Sequence, residues 1–387
     1  MKILIIGGGM YVSGRGADTF GTILPAVLEG NKKSLVTDIA VSTTSSLSSN
    51  FVKKQFDYLT AKLNINIKFN LFPKSNKDIY AYKNAVKIFK PDACIIAVPD
   101  NLHFKIASYV IKCKINCLIV KPFTTKLFEA KKLYSESKKN NILGQVEFHK
   151  RFDESNLVLF NKIKNKELGN LSYAVIQYSQ RMDIPLKFFK KWSEKSNIFN
   201  YLGVHYVDLI YFLTKFKPVN VCAFGNKDIL RKKGVNSWDY IHALIEWRKE
   251  DGSKFISNHI TSWIDPKKST AMSDQKISLI GSKSRIDLDQ KNRGIEFVDD
   301  HGSSIINPYF TNFGFDPNLN RYKFSGYGIK SVLNFLYDTK KLINKEVTLK
   351  NLEKNRPSFK NAIISTAVIE AVSKSLSNYG KKIKIKI

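Results

Sequence analysis

The sequence predicts an α/β chain with two domains: a doubly wound parallel sheet at the amino end, then an α+β domain on a mostly antiparallel open sheet. Three observations predict this. Short apolar runs alternate with helically spaced segments up to about residue 148. Beyond residue 171, strand-like segments follow one another with turn signals and almost no helix between them. A run of glycines stands directly after the first apolar run.

In the first half, residues 2–6 form a short apolar strand that ends at Gly7-Gly8-Gly9. Residues 21–29 begin a helix, 34–42 form a second strand and 51–63 a second helix. Residues 78–89 have helical spacing. The continuous apolar run 92–98 is of the kind buried on both faces of a parallel sheet. Helix 101–112, strand 116–120, helix 126–139 and a closing strand 142–148 complete the series.

The pattern changes after about residue 152. Residues 171–181 alternate as a strand and 197–215 are helical. Segments 219–223, 241–248, 254–263 and 276–280 read as strands, with weaker ones at 284–288 and 295–298. Glu250-Asp251-Gly252 and Gly281-Ser282 mark turns between them. Later helices cover 327–342 and 358–379, and the closing KKIKIKI reads as an edge strand protected by lysines. The expected domains are 1–148 and 149–387.

Composition narrows the function classes. The chain has 387 residues, with 63 Lys and Arg against 33 Asp and Glu, a net charge of +30. The excess is mostly lysine, spread along the whole chain, without an arginine-rich block interleaved with aromatics; specific nucleic-acid recognition is not expected. The positive field suits an anionic substrate or a phosphorylated cofactor. No stretch approaches the length of a membrane-spanning helix. The apolar run after Met1 is too short for a signal peptide, so a cytoplasmic protein without membrane insertion is expected. Cys94, Cys113, Cys117 and Cys222 match no zinc spacing, and no metal is expected.

The glycines carry the first chemistry. A strand that turns into a helix through glycine lets backbone approach a pyrophosphate, and the helix amino end favours the anion. Gly7, Gly9 and Met10 fit that arrangement, while Val12 stands where a third glycine belongs. The loop runs on through Ser13-Gly14-Arg15-Gly16 to Gly21, an enlarged phosphate loop in which Arg15 either binds phosphate or closes over the substrate. The second strand ends without an acid to take a ribose hydroxyl. Asp38 comes too early, and Ser42 and Thr43 stand at the end, with Lys53 and Lys54 nearby. This favours NADP over NAD, unless those hydroxyls serve only as caps of the next helix.

Three further segments stand out. Pro99 is followed four residues later by His103, after the fourth strand. Val120-Lys121-Pro122 resembles an E-K-P motif, with valine in place of glutamate. Tyr201-Leu202-Gly203-Val204-His205-Tyr206-Val207-Asp208-Leu209 resembles a D-x-G-x-H-x-x-D-L helix, with tyrosine in place of the first aspartate. In this order the segments resemble the glucose-fructose oxidoreductase / inositol dehydrogenase / MocA family. The resemblance implies a Rossmann domain that binds NAD or NADP, with Pro99, His103 and Lys121 beside the nicotinamide. It implies a catalytic Lys121 and an acid-base His205, and substrate contacts from His149 and Arg151.

Hydride transfer at a CH–OH carbon needs a group that exchanges the hydroxyl proton and something that stabilises charge on the oxygen. Lys121 and His205 suit both tasks. Tyr201 lies four residues before His205 and Asp208 three after it, so a helix puts all three on one broad face. Tyr201 is expected to join the proton relay, with a pKa lowered by neighbouring cations, or else to shape the pocket. Trp192, after Lys190 and Lys191, offers a stacking face for a sugar ring. The expected activity is NAD(P)-dependent hydride transfer to or from a sugar, sugar-nucleotide or polyol by a homodimer or homotetramer. The alternative is a non-catalytic dinucleotide-binding regulator of the same fold.

Overall fold

The computed structural model describes every residue except Asp18 and Ser75. The chain divides into two compact units. The first comprises Met1–Thr124, Phe128–Phe152 and Tyr309–Ala362; the second comprises Thr125–Leu127, Asp153–Pro308 and Ile363–Ile387.

The first unit alternates strands and helices: β1 (Lys2–Ile6), α1 (Met10–Ser13), α2 (Ile23–Lys32), β2 (Asp38–Ser42), α3 (Ser46–Leu63), β3 (Lys68–Phe72), α4 (Ala81–Phe89), β4 (Ala93–Ile96), α5 (His103–Lys112), β5 (Asn116–Val120), α6 (Leu127–Lys139) and β6 (Gly144–Glu147). The sheet order is β3-β2-β1-β4-β5-β6 and every pairing is parallel. Helices on both faces bury β1, β4 and β5 almost completely, which is why these strands are runs of Ile, Leu, Val and Cys. Strand β3 escaped the sequence reading for the converse reason: at the sheet edge, of Lys68–Phe72 only Phe72 is buried.

The second unit begins with α7 (Glu154–Lys164) and β7 (Leu171–Arg181). After the single turn α8 (Lys190–Ser193), a wide π-type turn at Phe199–Gly203 runs into α9 (Val204–Thr214). Then come β8 (Lys217–Asn226), α10 (Ile229–Lys232), β9 (Tyr240–Arg248), β10 (Lys254–Asp265), β11 (Ser273–Gly281), β12 (Arg285–Asp289) and the hairpin β13 (Glu296–Asp299) and β14 (Gly302–Ile305). A seven-stranded sheet is ordered β12-β11-β7-β10-β9-β8-β17, antiparallel except where β7 and β10 pair in parallel. Alternate residues of β7, β9 and β10 are buried, so one face packs inward. The other face exposes Tyr173, Leu244 and Ile256 to about half their area.

The chain then completes the first unit with the hairpin β15 (Asn312–Asp316) and β16 (Arg321–Ser325), followed by α11 (Tyr327–Ile343) and α12 (Leu349–Asn355). Helix α13 (Phe359–Ser377) and the short β17 (Ile383–Lys384) end the fold; β17 pairs with the edge of β8, so the terminal strand is two residues long rather than seven. By contacts the first unit extends past the expected boundary after residue 148, because residues 149–152 and 309–362 pack with it. The physical reason is the apolar face of α11. Its Val332, Leu333, Phe335 and Leu336 are buried in the same core as α2. A Cβ at Gly30 of α2 would lie 2.8 Å from Leu336 Cδ1, so α2 and α11 pack closely here and a larger residue would make Leu336 move.

A buried carboxylate fastens this returning segment. Asp338 on α11 accepts from Gln145 Nε2 of β6 at 3.0 Å, from Asn334 at 3.0 Å, and from Arg356 Nε at 2.7 Å and Nη2 at 3.1 Å. Removing a buried acceptor strands its donors. Asp338→Ala is expected to cost about 2–4 kcal/mol in urea unfolding. A loss within experimental error would show that the apolar face of α11 holds the segment alone.

Candidate active site

A parallel sheet delivers the carboxyl ends of all its strands to one edge. On that edge of the first unit lie Gly7 to Met10 after β1, Ser42 at the end of β2 with Thr43 after it, Pro99 to His103 after β4, Lys121 after β5, and His149 to Arg151 after β6.

The glycine-rich turn is shaped for close approach. Gly7 has φ +123°, and a Cβ there would sit 2.0 Å from the Ala97 carbonyl oxygen. At Gly8 a Cβ would press on Thr43 at 2.8 Å, whereas at Gly9 it would meet nothing within 4 Å. The turn is thus packed tightly on its inner side and open at Gly9, a cradle that fits a pyrophosphate. Helix α1 is a single turn, and the expected helix beginning near residue 21 is α2. Gly21 returns against α1: a Cβ there would lie 2.7 Å from both the Val12 carbonyl carbon and the Ser13 nitrogen. The tight packing expected of a third glycine is supplied here by Gly21 rather than at Val12.

At the end of β2, Thr43 Oγ1 spends its hydrogen bonds internally, on the Ser45 carbonyl and Ser49 Oγ, each at 2.9 Å. Ser45 caps α3 by accepting from Ser48 N. The capping role holds for Ser45, while Ser42 is buried. Arg15 Nη1 donates to Ser48 Oγ, which places the guanidinium beside the amino end of α3. Asp38 opens β2 at the opposite edge of the sheet.

His103 is fully buried. Its Nδ1 lies 2.8 Å from the Pro122 carbonyl oxygen and its Nε2 2.9 Å from that of Val98. Burial, against the opposing pull of Asp100 and the carbonyls, lowers its pKa. A neutral ring donates through one nitrogen only. With no exposed surface, His103 ties the β4 loop to the Lys121-Pro122 turn, whereas Pro99 is exposed. Lys121 follows β5 directly. Burial pushes its ammonium down to about 7, against the attraction of Glu147 and then Asp100.

After β6, the buried Glu147 Oε2 accepts from Tyr11 OH at 2.9 Å and lies 3.1 Å from His149 Nδ1. His149 sits against Phe310 and Tyr327, with centroids 5.0 and 5.7 Å away. Lys150 and Arg151 are also buried, their cationic groups each 5.8 Å from the ring centres of Tyr327 and Phe148 respectively. Sequence reasoning missed Tyr11, Glu147 and Lys150. Tyr11 was marked only by its place two residues beyond Gly9, and Glu147 by being an acid in a buried strand.

In the second unit, Tyr201 lies in the π-type turn before α9 and Trp192 in α8. Tyr201 packs on Trp192, Phe189 and Trp263 with centroids 5.2, 5.5 and 5.9 Å away. Burial in this aromatic cluster raises its pKa, outweighing a hydrogen bond from Gln180. That direction is opposite to the expectation, because the aromatic surroundings disfavour a phenolate. His205 and Asp208 are buried on α9, and the His205 ring lies 6.2 Å from Tyr178. Lys190 and Lys191 are exposed. Among the described residues, no group of three or more His, Cys, Asp or Glu is placed to hold a metal ion, and no helix is long and apolar enough to cross a membrane.

Comparison with known proteins adds to this geometry. An uncharacterized oxidoreductase of Schizosaccharomyces pombe is 30% identical over 120 residues, covering 30% of this chain and 31% of its own. The myo-inositol 2-dehydrogenase of Thermotoga maritima is 22% identical over 212 residues, covering 54% of this chain and 60% of its own. The chain thus matches less than two thirds of the length of these curated relatives. The crystal structure of scyllo-inositol dehydrogenase from Lactobacillus casei with bound NAD(H) and scyllo-inositol superposes with a TM-score of 0.67 at 15% identity, over 100% of this chain and 99% of that one, and shares the fold. A model described as an oxidoreductase family with an NAD-binding Rossmann fold matches residues 1–148, and the GFO/IDH/MocA C-terminal domain matches residues 159–287. Matched in both halves, the chain belongs to the GFO/IDH/MocA oxidoreductase family.

Proposed function

We propose that this protein is an NAD(P)-dependent oxidoreductase that moves a hydride between nicotinamide and a CH–OH carbon of a sugar, sugar-nucleotide or polyol. The observation that carries the reading is Lys121, an amine drawn down to about 7 by burial, on the same sheet edge as a glycine turn left open at Gly9. The relatives named inositol dehydrogenases support a polyol or sugar as substrate.

When bound, the dinucleotide supplies the hydride acceptor or donor. The chain's residues handle the rest. Gly7 and Gly9, with the amino end of α1 at Met10, receive the pyrophosphate. Arg15, beside the amino end of α3, takes a ribose phosphate, which favours NADP; an arginine near this corner, with no acid at the strand end, accommodates the added charge. In the oxidative direction the carbinol carbon gives up a hydride and its oxygen gives up a proton. Neutral Lys121 accepts that proton. In the reductive direction the ammonium returns it to the carbonyl oxygen. In the second unit we assign His205 to acid-base work with Asp208 orienting it, and Trp192 to stacking on the substrate. Tyr201, whose proton is held on by its surroundings, is assigned to donate a hydrogen bond rather than to act as a base. The exposed apolar positions of the second sheet suit self-association into a dimer or tetramer.

Two outcomes test this. With Lys121 titrating near 7, kcat/KM for alcohol oxidation should rise with pH through about 7 and that for carbonyl reduction should fall over the same range. Lys121→Met should lower turnover by about 10²- to 10⁴-fold while dinucleotide still binds. Flat pH profiles, or full activity in the variant, would remove Lys121 from proton exchange. Separately, Arg15→Ala should weaken NADPH binding by about tenfold and leave NADH within about twofold. Equal losses for both would place Arg15 elsewhere.

A further inference from the structure

The sequence has valine at position 120, immediately before Lys121, in the strand that carries the lysine. In the parallel ladder, Val120 of β5 pairs with Glu147 of β6. Glu147 ends its strand as a buried acid, and of the two carboxylates acting on Lys121, Glu147 acts more strongly and Asp100 less. One of its oxygens is held by Tyr11 OH and His149 Nδ1. The other, Oε1, is buried without a hydrogen-bond partner among the described residues. A buried acid is costly unless something compensates it. Lys121 is the cation at the next strand end.

We propose that Glu147 is the positioning residue of Lys121: a carboxylate supplied from β6, at the register position beside Val120, and anchored by Tyr11 and His149 so that its negative charge stands at a fixed place beside the strand end that carries the lysine. The assignment rests on the reading of Lys121 as the proton-exchanging group. Tyr11 belongs to the single turn that follows Gly9, so the same hydrogen bond links the amine's carboxylate to the glycine-rich turn. The titratable groups around this centre are Asp100 from the β4 loop, Lys121 after β5, Glu147, His149, Lys150 and Arg151 along and after β6, Tyr11 on α1 and Tyr327 on α11. Glu147 attracts the ammonium, so its charge favours the protonated amine and opposes the effect of burial.

The test reads the amine directly. The acylation rate of Lys121 by acetic anhydride, followed by mass spectrometry across pH without substrate, gives its titration midpoint in the full-length protein. Glu147→Gln keeps an oxygen for Tyr11 and removes the charge. Its midpoint should fall by about one pH unit, and the acid limb of the oxidation profile should move with it. Glu147→Asp, which keeps a carboxylate on a shorter arm, should fall in between; should the glutamine variant not fold, this comparison with the unmodified chain reads the same shift on a smaller scale. A folded Glu147→Gln protein with an unchanged Lys121 midpoint overturns the proposal. Since no substrate is present, the shift is readable even if no sugar or polyol is turned over, and that second failure would count against the oxidoreductase reading alone.

Discussion

The first unit depends on how closely the ends of β1 and β4 approach each other. Gly7 lies against the Ala97 carbonyl so tightly that a single Cβ would sit 2.0 Å from the oxygen. At this contact the chain turns as it leaves β1 with Gly7 at φ +123°, and two residues on, Gly9 stands open. His103 extends the constraint to the next strand: its buried ring sits between the Val98 and Pro122 carbonyls and donates to one of them. Three successive strand ends are thereby tied together, by a close backbone approach and by the His103 ring, and Lys121 is carried on the third. A site built this way rests on a rigid scaffold of strand ends, to which side-chain hydrogen bonds such as those of Tyr11 and His149 to Glu147 are added.

The electrostatics of the edge follow from its burial. A lysine in water stays charged far above neutrality. Here burial brings the amine down to about 7, while Glu147 and Asp100 keep it from falling further. Burial outweighs the attraction of the two carboxylates and leaves the group able to give or take a proton near neutral pH. Tyr201 in the second unit moves the other way. Its aromatic cluster of Phe189, Trp192 and Trp263 offers no charge to stabilise a phenolate.

Much of this was legible in the sequence, and the parts that were not share a cause. The strands β1, β4 and β5 announced themselves because burial on both faces demands continuous apolar residues. The glycine turn after β1 and the place of Lys121 directly after β5 were legible because both are marked by sequence neighbours. Strand β3, half exposed at an edge, carried no such pattern. The periodicity of 327–343 announced a helix but could not say which sheet it would cover, so the return of α11 to the first unit was hidden. Gly21 takes the packing role expected near Val12 only because the chain loops out and comes back. Glu147 acquires its importance from a register pairing with Val120, a relation between strands that no local motif records. The direction of the Tyr201 shift likewise depends on residues far along the chain, Trp263 above all.

The central claim is that the edge beginning at Gly7 receives a nicotinamide dinucleotide. Thermal unfolding in the presence of NAD, NADH, NADP and NADPH tests it most directly, since a ligand that binds only the folded chain raises the melting temperature. The account predicts a clear, saturable rise with dinucleotide, larger for the NADP pair. No rise with any of the four, on protein shown to be folded, would contradict it.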